Sequence, residues 1–146
     1  MCHLRGGDNK VSSHVPFQFL ESRPVTRLNT MGISAAQKAA IEQVFESITS
    51  YSVPIGKGRQ KRELAAEFMV LPDREVWADY YQVIPEPRCL SGIKNGVEKG
   101  DYKNAQQVFS DLNLVFSNAL WFNEEQSQVA KDATALKVCL QSIEIC

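Results

Sequence analysis

Asn104-Ala105-Gln106-Gln107-Val108-Phe109-Ser110-Asp111-Leu112-Asn113-Leu114-Val115-Phe116-Ser117-Asn118-Ala119-Leu120-Trp121-Phe122-Asn123 carries the strongest helical pattern in the chain. Ala105, Val108, Phe109, Leu112, Val115, Phe116, Ala119 and Leu120 recur at the three-and-four spacing of one helix face. Asn104 three residues before Gln107 has capping-box spacing, and the pattern runs out between Trp121 and Asn123. Working outward, Ser127 caps a last helix with Val129, Ala133, Leu136, Leu140 and Ile143 facing inward. Before it, Leu90, Ile93 and Val97 predict a short helix ending near Gly100. A further helix starts at Ser34, where Gln37 completes a capping box and Ile41, Val44, Phe45 and Ile48 form the stripe. Pro54, Gly56 and Gly58 interrupt it, and Glu63–Phe68 adds a short helical stretch. No alternating strand pattern competes. The expectation is all-α, a four-helix bundle with a long loop between helices 1 and 2.

The chain has 146 residues, 44% hydrophobic and 23% charged, which fits one globular domain and excludes global disorder. No apolar run approaches the ~20 residues of a membrane span, and the first residues lack a secretory-signal layout, so no membrane partner is expected. The formal net charge of -1 argues against DNA as the main ligand. Residues 1–33 carry +2 and the remainder -3, an acidic body suited to basic partners. Residues 1–30, without sustained periodicity, are expected to be a disordered tail on a domain spanning 31–146.

Cys2, Cys89, Cys139 and Cys146 show no paired spacing, so neither a metal site nor a disulfide framework is indicated. His3 and His14 both lie in the expected tail, which disfavours a histidine-based triad. Leu71–Pro87 is different: a long segment with no clean period, yet rich in rings at Trp77, Tyr80 and Tyr81. Bulky aromatics in an ordered loop need something to pack on, and together they can wall a pocket.

Phe68-Met69-Val70-Leu71-Pro72, Trp77-Ala78-Asp79-Tyr80-Tyr81, Pro87-Arg88-Cys89-Leu90 and Phe116-Ser117-Asn118-Ala119-Leu120-Trp121-Phe122-Asn123 together resemble the bromodomain signature, at matching spacing over residues 34–145. The pattern is most similar to the polybromo and fungal RSC-type branch, whose members are subunits of chromatin-remodelling complexes. The resemblance implies a left-handed four-helix bundle that binds acetyl-lysine between two loops, with no cofactor and no catalysis. It assigns the polar anchor to Asn123 and a water-mediated contact to Tyr80. Leu71, Trp77, Ala119, Phe122 and Val129 match wall positions, and Phe68 and Pro72 the shelf. Acetyl-lysine is a neutral amide on an apolar stem; a charged lysine would be excluded because its ammonium would be buried unpaired. The implied partners are acetylated lysines in histone tails or other nuclear proteins, and subunits of a remodelling complex; the implied location is the nucleus.

Several residues carry a plainer reading. Asn123 is also a common type of helix C-cap, and Phe109 and Phe116 read as core. Lys57, Arg59, Lys61 and Arg62 form a basic run that reads first as a solvated loop, and second as a weak DNA contact. The family pattern is broken at four places. Ala78 replaces a proline, loosening the loop. Cys89 replaces a capping aspartate, an expected loss of about 0.5–2 kcal/mol. Arg88 replaces a methionine and must turn to solvent or find an acid such as Asp79 or Glu86. Phe122 stands where many relatives have tyrosine. The alternative to an acetyl-lysine reader is thus a bundle that has lost the site and serves as a docking module. An enzyme is a distant third, for want of inward metal ligands or a phosphate-binding loop.

Overall fold

The computed structural model describes residues 32–145, so the expected tail at 1–30 lies outside the described residues. Four long helices form the bundle: α1 Ala35–Thr49, α3 Leu90–Lys99, α4 Ala105–Phe122 and α5 Gln128–Ile145, with a short α2 at Ala78–Val83. Each long helix begins where a side chain satisfies a free N–H. Ser34 and Gln37 close a reciprocal capping box at 3.1 and 3.0 Å, Asn104 Oδ1 accepts from Gln107 N at 2.9 Å, and Ser127 Oγ accepts from Ala130 N at 3.2 Å. The four-residue stripe of α1 is buried as its spacing predicts. Phe116 is fully buried at the centre and meets the ring of Phe68 edge-on, with centroids 5.4 Å apart. Ala105, Phe109 and Leu120, at the margin of the α4 stripe, are only partly buried against this core.

The segment between α1 and α3 is more structured than a loop. Two three-residue strands, β1 Ser52–Pro54 and β2 Lys61–Glu63, pair antiparallel in the register Ser52 to Glu63, where no strand was expected. Three residues are too few to display an alternating pattern. The hairpin closes through Ile55 N to Gln60 O at 2.9 Å, and Gly56 at φ +62° makes the turn. Leu64–Phe68 then runs as a 3-10 helix. The six-residue α2 lies inside the expected loop; it buries only Tyr80, so it has no stripe to read.

Arg62 belongs to the bundle rather than to the free basic run. Its Nη1 and Nη2 grip the two carboxylate oxygens of Asp132 on α5, an ion pair whose acid is buried. Gln128 Nε2 donates to the same carboxylate at 3.0 Å. This corrects the grouping of Arg62 with Lys57, Arg59 and Lys61 as a possible DNA contact.

Candidate functional site

At one end of the bundle a cavity of about 390 Å³ brings together all nine residues singled out from the sequence. Phe68 ends the 3-10 helix, Leu71, Pro72 and Trp77 come from the following segment, and Tyr80 from α2. Ala119, Phe122 and Asn123 lie at the end of α4, and Val129 at the start of α5. Val115, Asp73 and Arg88 also line it and were not among the expected site residues. Val115 carried a readable signal, since it lies one turn before Ala119 on the same stripe.

Aromatic edges shape the mouth. Phe122 receives Tyr80 at 5.1 Å and Trp77 at 6.4 Å between centroids, both near-perpendicular. Tyr80 is 8% exposed whereas Trp77 is 51% exposed, so one ring forms wall and the other forms rim. Burial, the largest cause, raises the Tyr80 phenol above its usual value and keeps it neutral, a donor as well as an acceptor.

The segment is pinned although Ala78 replaces the proline. Asp73 Oδ1 accepts from Glu75 N and Val76 N at 2.8 and 3.1 Å, an Asx turn leading to α2. Tyr81 donates its hydroxyl to the Pro72 carbonyl, while Arg74 lies over its ring at 4.1 Å. At the far end, buried Asn118 donates from Nδ2 to the Glu86 carbonyl at 2.9 Å. Sequence reasoning missed Asn118, because a polar residue on an apolar stripe does not name its partner.

Three further positions differ from expectation or refine it. Cys89 does not leave α3 uncapped: its Sγ accepts from Gly92 N at 3.4 Å. Arg88 turns to Asp111 on α4, Nε to Oδ2 3.2 Å, an acid not foreseen; Asp79 is not its partner, and Glu86 lies at 3.7 Å. Asn123 is half-buried and donates from Nδ2 to the Ala119 carbonyl at 2.9 Å. An amide carries two N–H donors and an acceptor oxygen, so this bond uses only one of the donors of a side chain that lines the cavity. Asp73 lines the cavity, and Glu75, Asp79, Glu86, Glu124 and Glu125, in or next to the segments that build it, are exposed.

Comparison with known proteins agrees with this geometry. The bromodomain family model matches residues 57–135. The chain is 41% identical over 88 residues to the chromatin structure-remodeling complex subunit rsc1 of Schizosaccharomyces pombe, covering 60% of this chain and 11% of that protein. It is 37% identical over 76 residues to the subunit RSC4 of Saccharomyces cerevisiae, covering 52% of this chain and 12% of that protein. The chain thus spans about a tenth of the length of these curated relatives. Among solved structures, the bromodomain from human BAZ1A superposes with a TM-score of 0.62 at 25% identity, covering 73% of this chain and 90% of that one. The helical bundle, the aromatic cavity at its end and a family match over more than half of its residues converge: the chain belongs to the bromodomain family.

Proposed function

We propose that this chain is a non-catalytic reader of acetyl-lysine, acting on acetylated histone tails within a chromatin-remodelling complex in the nucleus. One observation carries the reading: a mostly apolar cavity with the Asn123 amide at its wall. An acetyl-lysine stem gains from the apolar lining, and its carbonyl takes the second Asn123 N–H. Asp73 in the cavity lining and the exposed acids in or next to the segments that build it favour the basic residues that flank a modified lysine in a histone tail, by a screened and modest attraction. Lys57, Arg59 and Lys61 stand exposed on the hairpin and supply the only DNA contact we attach to this reading.

The docking-module alternative rests on Arg88, Cys89 and Ala78, and would gain if Arg88 filled the cavity or the loop had collapsed. The turn of Arg88 toward Asp111, beside an open cavity, favours the reader. Calorimetric titration of acetylated and unmodified histone-tail peptides tests it. The acetylated form is expected to bind and the unmodified form not; Asn123→Ala is expected to weaken binding by about 1–3 kcal/mol. Equal binding of the two forms, or no effect of Asn123→Ala, would refute it.

A further inference from the structure

Arg88 stands where two cavities meet. It and Leu71 line both the site cavity and a neighbouring one of about 320 Å³, bounded also by Cys89, Gly96 and Tyr102. The guanidinium is held by Asp111 through Nε and by the Pro87 carbonyl, 2.9 Å from Nη1. Its contact with Glu86 is long and solvent-facing, hence weak. Asp111 is itself oriented, because the Tyr102 hydroxyl donates to the same Oδ2 at 2.6 Å. Tyr102 is seated in turn against Gly96, where a Cβ would come within 2.9 Å of its Cε2.

Released from Asp111, the Arg88 cation has three other acids to seek: Glu86, already 3.7 Å away at the surface, and Glu67 and Asp73, which both line the same cavity. A long flexible arm drawn toward the last two would cross space that a neutral ligand needs. We propose that Asp111, oriented by Tyr102, is a positioning residue that tethers Arg88 to the wall and so keeps the cavity open to an acyl-lysine. The proposal rests on the acetyl-lysine reading above for its ligand, but the tether itself does not.

The test uses the full chain and a short basic peptide carrying one Nε-acetyl-lysine, titrated by calorimetry. Asp111→Ala is expected to weaken binding about tenfold in the parent background, and Arg88→Met, which itself alters the cavity lining, is the reference for the double variant. Removing the cation should rescue the loss, so the double variant should bind like Arg88→Met. A double variant that still binds about tenfold more weakly than Arg88→Met would make Asp111 merely structural and overturn the proposal. Asp111→Asn serves if the alanine variant does not fold. A ligand-free arm follows the Arg88 Nε–H by 15N NMR: slow solvent exchange is expected in the parent and fast exchange in Asp111→Ala. Unchanged exchange would overturn the tether. A parent that ignores the peptide, while its Arg88 signal still depends on Asp111, would overturn the acetyl-lysine reading and the pocket-keeping role with it, but not the tether.

Discussion

The Asn123 amide serves the fold and, on the function proposed above, the ligand as well. One N–H closes on the Ala119 carbonyl, so Asn123→Ala removes a helix-end bond as well as the proposed ligand donor. A stability loss of about 0.5–1.5 kcal/mol should therefore accompany the larger loss in binding, readable as a lowered urea midpoint. Gly96 makes the opposite kind of case. Alanine there should gain up to about 1 kcal/mol of helix propensity, yet its Cβ would displace a Tyr102 ring that Asp111 holds. Overpacking of about 1–3 kcal/mol plus the strained hydrogen bond should win, so Gly96→Ala is expected to destabilise by about 1–3 kcal/mol in denaturant unfolding. A gain in stability would show that the ring yields freely.

At the scale of elements, the helix starts at Ser34, Asn104 and Ser127 were legible because a cap and its partner lie three residues apart. Cys89 read from the sequence as a weakened cap, and the geometry adds only that the thiol, a weak acceptor, still takes the Gly92 N–H at 3.4 Å. Cys89→Asp is accordingly expected to stabilise α3 by about 0.5–2 kcal/mol, through a stronger acceptor and a charge at the helix N-terminus. Thermal unfolding would check it, and an unchanged midpoint would mean the sulfur caps as well as a carboxylate. The hairpin and α2 were not legible. Strands of three residues and a helix burying one side chain carry too little periodicity to register.

For the molecule as a whole, the Arg62–Asp132 pair ties the segment after α1 to the last helix across 70 residues of sequence. The hydrogen bond from Arg62 is the largest cause holding the Asp132 carboxyl below its ordinary value of 3.8. A carboxylate whose pKa is depressed by folding contributes fully above its unfolded pKa and loses that contribution as pH falls through the folded value. Stability from this pair should thus be constant above about pH 5 and drain below pH 3.8. Asp132→Asn should lower stability at neutral pH and flatten the acid limb of a stability–pH curve; an unaltered acid limb would show the pair to be idle. By itself the sequence determined the all-helical class and the positions of the four long helices, since apolar spacing and caps act within a few residues, while the residues that meet at the cavity were readable only through the resemblance of their motifs to a known family. Only the tertiary structure decided that Arg62 serves Asp132, that Arg88 serves Asp111 and that Asn118 holds the Glu86 carbonyl. Those partners lie 70, 23 and 32 residues apart. A charge or amide finds its partner by proximity in space, and no local pattern encodes which distant residue folding will place beside it.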